Sequence, residues 1–66
     1  MSRFEVGSKI MHLKTEQVYV VVMGPDKVRI EATGEPAYLY TPKDSPPYVW
    51  WVRPQKEVED GRFVDV

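Results

Sequence analysis

The hydrophobic positions of the chain fall into short runs separated by turn residues, a pattern typical of β-strands. Alternating or continuous apolar runs predict strands at residues 8–13, 17–23, 27–32, 37–40, 48–53 and 62–66. The strongest of these is 17–23, whose unbroken apolar stretch suits the middle of a curved sheet. Residues 55–59 are too few and too polar for a full helix, and they predict a single 3₁₀ turn.

Composition supports an all-β fold. Eleven valines, eight aromatic residues and three threonines favour a pleated sheet, whereas leucine and alanine occur only twice each. Five or six short strands in 66 residues require a strongly curved sheet, because a flat one leaves two edges open to aggregation. We therefore predict a small five- or six-stranded SH3-like barrel with one short 3₁₀ turn, as a single domain over residues 1–66. The alternative, an OB-fold, usually needs more residues and a helix between strands three and four.

The charge of the chain limits the kinds of partner that it is expected to bind. Nine basic and ten acidic side chains, mixed along the chain, leave a net charge of -1 and no basic stripe, which argues against binding duplex DNA. No apolar run approaches the roughly 20 residues that span a bilayer, and the N-terminus has no apolar run of signal-peptide length. We therefore expect a cytoplasmic protein with no membrane partner.

The residues that enzymes need are scarce. The chain has no cysteine and one histidine, His12, which lies mid-strand and is interpreted as a structural residue. The sequence contains no phosphate-binding glycine loop, nucleophile elbow or metal-ligand cluster. The acidic residues at 57, 59 and 60 are interpreted as a solvated turn. The sequence therefore predicts a non-enzymatic protein with no cofactor and no metal.

An aromatic cluster between residues 38 and 51 is the most informative signal for function. Trp50 and Trp51 are consecutive, so on a strand they point to opposite faces, and at least one should be exposed. Exposed tryptophan among tyrosines, with arginine nearby, is the composition of binding hot spots. The predicted partner-binding residues are Tyr38, Tyr40, Tyr48, Trp50, Trp51 and Arg53.

Two kinds of partner fit such a surface. One is a protein, either a target or another copy of this chain in a homo-oligomer. The other is a small nucleotide, whose base would stack on tryptophan or tyrosine while arginine or lysine held the phosphate. The candidate phosphate-binding residues are Arg29, Lys43, Arg53 and Arg62.

The C-terminal part of the chain carries a Trp-Val-Arg-Pro box at 51–54, an acidic segment at 57–61 that ends in Asp-Gly, and Phe63. In these motifs it resembles a family of small SH3-like bacterial and phage proteins with no established function. The opening, an aromatic residue before Val6-Gly7 and then the strand at 19–21, is also similar to the first hairpin of such domains. The resemblance implies an SH3-like fold and a phage or bacterial source.

Together these features predict a non-enzymatic binding module. A phage-encoded inhibitor that occupies a host protein surface through its aromatic patch is the concrete form of this hypothesis. The alternative is a protein that binds or sequesters nucleotides.

Overall fold

Five antiparallel strands form one sheet in the computed structural model, which describes residues 3–44 and 46–66. In chain order the elements are β1 (Lys9–His12), β2 (Val18–Met23), β3 (Ala37–Pro42), β4 (Trp51–Pro54), the helical turn α1 (Gln55–Val58) and β5 (Phe63–Asp65). Across the sheet their order is β4-β3-β2-β1-β5, so the last strand returns to pair with the first. The predicted all-β class is confirmed.

The closed barrel is not confirmed, because β4 and β5 remain the two edges of an open sheet. Between these strands in the chain, α1 packs against β3 and β4. Val58, at the end of α1, is completely buried and joins the core. The helical turn therefore adds its buried valine to the core on the side of β3 and β4.

The predicted strand at 27–32 is wrong. Only one isolated bridge, Arg29 to Pro36, forms there, and the segment is otherwise turns and irregular backbone. Around this bridge the Ile30 amide donates to the Glu35 carbonyl and the Val28 carbonyl accepts from the Ala37 amide. The ladder goes no further, because the Gly24 carbonyl accepts from the amides of residues 27 and 28 and the Ile30 carbonyl from those of 33 and 34, as in turns. The ladder of β2 is instead made with β3, through Tyr19 to Met23 and Leu39 to Pro42.

Other boundaries shift by a few residues. The predicted strand at 48–53 begins only at Trp51, so residues 48–50 lie outside the ladder, and the final strand is shortened to Phe63–Asp65. The predicted 3₁₀ turn is an α-helical turn, because the amide of Glu59 donates to the carbonyl of Gln55 four residues earlier, at 2.9 Å.

The core lies on one face of the sheet and is largely aromatic. Its buried members are Phe4, Ile10, Val21, Tyr38, Tyr40, Val58 and Phe63, with Tyr19 packed against them. The rings of Tyr40 and Phe63 meet edge to face at 5.6 Å, and those of Tyr19 and Tyr40 at 5.0 Å. A few large rings thus fill an interior for which such a short chain can supply few side chains.

Candidate functional site

An uninterrupted run of five large apolar side chains lies on the surface at one edge of the sheet. We call residues 48–52 the aromatic edge segment; its members are Tyr48, Val49, Trp50, Trp51 and Val52, each between 41 and 70% exposed. The prediction that at least one tryptophan is exposed is confirmed, since Trp50 is 66% and Trp51 46% exposed. Runs of exposed apolar residues this long are rarely tolerated in a soluble domain without a function.

The neighbouring strand holds this segment in place. Trp51 pairs with Tyr40 and Val52 with Leu39 in the β3–β4 ladder. Before the ladder begins, the Thr41 hydroxyl donates to the Val49 carbonyl at 2.9 Å. Because β4 is the last strand of the sheet, its other side has no strand partner among the described residues. The aromatic edge segment is therefore anchored along one side and open along the other.

Tyr38 and Tyr40, predicted as contact residues, lie elsewhere. Both are buried on the core face of β3 and offer almost no surface to a partner. The reason is the strand period: residues 38 and 40 share one face, and in this sheet that face covers the core. Tyr48, Trp50 and Trp51 thus remain as the exposed aromatic residues of the predicted set.

A separate, partly buried polar cluster between β3 and α1 is structural. The carboxylate oxygen Oε2 of Glu59 accepts hydrogen bonds from the Tyr38 hydroxyl, the Arg3 amide and the Gln55 side chain, the last two at 2.9 and 3.1 Å. Burial, together with the bond to Glu59, raises the pKa of Tyr38 to about 12. Burial also acts to raise the pKa of Glu59, but its hydrogen bonds outweigh this and hold the pKa below its ordinary value.

A second surface feature is a groove of about 450 Å³ next to β1 and β4. We call it the cationic groove; it is lined by His12, Leu13, Lys14, Arg53 and Arg62. Arg53 donates from Nε to the Tyr40 hydroxyl at 3.2 Å, and its guanidinium lies 5.8 Å from the centre of the Phe63 ring. The bond to Tyr40 raises the pKa of Arg53, against the opposing effect of burial. Arg53 is therefore a permanently charged and positioned side chain.

The structure divides the four predicted phosphate-binding residues. Arg53 and Arg62 meet in the cationic groove. Arg29 instead donates to the Gly34 carbonyl, and Lys43 pairs with Asp44 at 2.7 Å. Neither of these two lines the groove.

Sequence reasoning missed His12 and Lys14 as groove residues. They reach it because β5 pairs with β1, which sets His12 opposite Phe63 and brings the end of β1 close to Arg62. The amide of Leu13 also donates to the Arg62 carbonyl at 2.9 Å. Only the long-range strand order could have indicated this proximity, and no local motif encodes it.

Among residues 3–44 and 46–66, no group of three or more His, Asp or Glu side chains is placed to hold a metal ion. No helix of this part of the chain is long and apolar enough to cross a membrane. Neither a scan against protein-family models nor searches of curated proteins and of solved structures find a match.

Proposed function

We propose that this chain is a non-enzymatic binding module that contacts a partner protein through the aromatic edge segment. The observation that carries the proposal is the five consecutive exposed apolar side chains that lead into the edge strand β4 and form its first two residues. Tryptophan and tyrosine supply large, rigid contact area at low entropic cost, and they are enriched at the centres of protein interfaces. The more specific role of a phage-encoded inhibitor stays a prediction.

The partner we propose is a protein surface with an apolar pocket for Trp50. Trp50 is the more exposed of the two indoles, and it lies outside the ladder, where its side chain can enter a pocket without disturbing the sheet. β4 itself is only four residues long and ends in proline, which has no amide hydrogen. Side-chain packing, rather than strand addition, is therefore the proposed source of affinity.

We also propose that the fold is SH3-like. The strand order, the short turn that follows Pro54 and the return of β5 to β1 support this assignment. An SH3-like scaffold suits a binding role, because a rigid sheet presents variable edges and loops to partners.

The experiment is site-specific photo-crosslinking in cells that express the chain. A photoreactive amino acid replaces Trp50 in one variant and Glu31 in the control, since Glu31 is exposed on a turn remote in sequence from the segment. We expect one discrete crosslinked protein from position 50 and none from position 31. Equal labelling from both positions would contradict the proposal, and crosslinks solely to the chain itself would replace a separate partner with self-association.

The purified partner then allows affinity to be measured. Trp50→Ala should weaken binding by at least about 2 kcal/mol, the usual hot-spot range, which corresponds to roughly thirtyfold in Kd. Val6→Ala is the control, because Val6 is equally exposed but lies near the other end of the chain. It should leave Kd unchanged.

A further inference from the structure

We infer that the cationic groove binds the phosphoryl group of a small molecule of about nucleotide size, independently of the aromatic edge segment. The cationic groove is lined by three positively charged side chains, Lys14, Arg53 and Arg62, and by His12. Its volume, about 450 Å³, lies within the range of small-molecule sites in proteins.

Two arginines in the groove are held side by side by one carboxylate. The terminal nitrogens NH1 of Arg53 and Arg62 lie 3.7 and 3.2 Å from the same oxygen, Oε1 of Glu57. Arg62 also pairs through Nε with Asp60 at 3.1 Å. A guanidinium has five N–H donors, more than these contacts use, so both groups keep donors for an anion.

The groove is preorganised by the core beneath it. Arg53 is fixed by the Tyr40 hydroxyl and packs over the buried ring of Phe63. The ring of His12 meets the same Phe63 edge to face at 4.9 Å. Because Phe63 and Tyr40 are buried, the Arg53 side chain held against them loses little conformational freedom when a ligand binds.

The chemistry of the lining favours a phosphorylated small molecule over a polymer. Arginine forks match the oxygens of a phosphoryl group in charge and geometry, and lysine adds a point charge. Leu13 gives the groove an apolar wall for the body of the ligand. Outside the groove the charges are mixed, and the net charge of -1 offers no extended track for a nucleic-acid backbone.

The test is a titration of the ¹⁵N-labelled chain followed by NMR, with adenosine monophosphate, inorganic phosphate and adenosine as separate probes. We expect the monophosphate to shift the amides of residues 12–14, 53 and 62. Inorganic phosphate should shift the same amides with lower affinity, while adenosine should not bind. Adenosine binding as tightly as its monophosphate, or no shift at millimolar concentration of either phosphorylated probe, would overturn the inference.

Matched variants separate a site from diffuse attraction. Lys14→Gln and Arg62→Gln should each raise the Kd of the monophosphate about tenfold, the effect of losing one charge-assisted contact. Lys27→Gln and Arg29→Gln remove the same charges from exposed positions outside the groove and should leave Kd unchanged. An equal loss of affinity for the monophosphate in both pairs would show that the ligand is attracted by net charge alone, and it would refute the site. Neither result bears on the protein-binding proposal, which depends on Trp50.

Discussion

The carboxylate of Glu59 connects three parts of the chain that are distant in sequence. It binds the N-terminal arm at Arg3, the central strand at Tyr38 and the helical turn at Gln55. The Tyr38 hydroxyl also accepts a hydrogen bond from the buried amide of Phe4 at 3.1 Å. The phenol thus supplies an acceptor for a buried amide, and the carboxylate ties the phenol to the N-terminal arm and the helical turn.

Tyr38→Phe tests this role. Removal of the hydroxyl leaves the Phe4 amide buried without an acceptor and should lower the free energy of unfolding by about 1–3 kcal/mol. Urea denaturation followed by circular dichroism measures it. Tyr48→Phe is the control, because that side chain is exposed on the aromatic edge segment, and its effect should stay within about 0.5 kcal/mol. Equal effects of the two changes would contradict the role given to Tyr38.

The lowered pKa of Glu59 also predicts how the stability of the fold depends on pH. Its pKa is lowered in the folded state, so the unfolded chain binds the proton at higher pH. The contribution of Glu59 is complete above the ordinary glutamate pKa and is lost as pH falls through the lower, folded-state pKa. Glu59→Gln should therefore flatten the acid limb of stability against pH, measured by urea midpoints. Glu31→Gln, which changes an exposed carboxylate on a turn, should leave that limb intact.

At the scale of elements, a strand was predicted correctly where a segment with an apolar pattern also found a distant strand to pair with. Strands form at 18–23 and 37–42 where 17–23 and 37–40 were predicted, and Val21, Tyr38 and Tyr40 of these strands lie in the core. The alternation of Val28 and Ile30 is equally strand-like, but it yields a single bridge, and the Ile30 carbonyl accepts from the turn amides of residues 33 and 34. The local pattern of apolar residues shows which segments favour a β-strand. It does not show which other segment is available to form hydrogen bonds with that strand.

The same limit explains the sites. The prediction of an exposed indole is confirmed, but strand alternation is not the cause, because Trp50 precedes β4 and both indoles are exposed. The burial of Tyr38 and Tyr40 depends on which face of β3 meets the core, and the cationic groove depends on β5 lying beside β1. Both are consequences of the sheet order, which the local pattern alone does not determine.

The helical turn α1 yields a prediction at this scale. A single turn has little intrinsic stability, so its position depends on the burial of Val58. Val58→Ala should lower the free energy of unfolding by about 2 kcal/mol through lost burial and a residual cavity. Val6→Ala removes the same atoms from an exposed site and should have little effect in the same denaturation experiment. If the two substitutions destabilise equally, the turn is not held by its buried valine.

At the scale of the whole molecule, the two proposed sites differ in chemistry, since one is apolar and the other is positively charged. The aromatic edge segment is apolar and consists of the residues that lead into and begin the edge strand β4. The cationic groove is charged and lies over Phe63, with β1 and β5 close by. Arg53, in β4, belongs to the groove and follows the segment directly in sequence. The two proposed sites therefore adjoin along β4 and share no lining residue.

The open edge also predicts behaviour without a partner. An exposed apolar edge strand and a net charge of -1 leave little to oppose contact between copies, so the isolated chain should associate as its concentration rises. Val52→Lys places a charge on β4 and should keep the protein monomeric, because lysine blocks edge-to-edge contact. Val66→Lys makes the same chemical change at an exposed residue beyond β5 and should not suppress association. Sedimentation velocity over a concentration series measures both. A wild-type chain that stays monomeric throughout, or equal suppression by both lysines, would show that the β4 edge does not drive contact between copies.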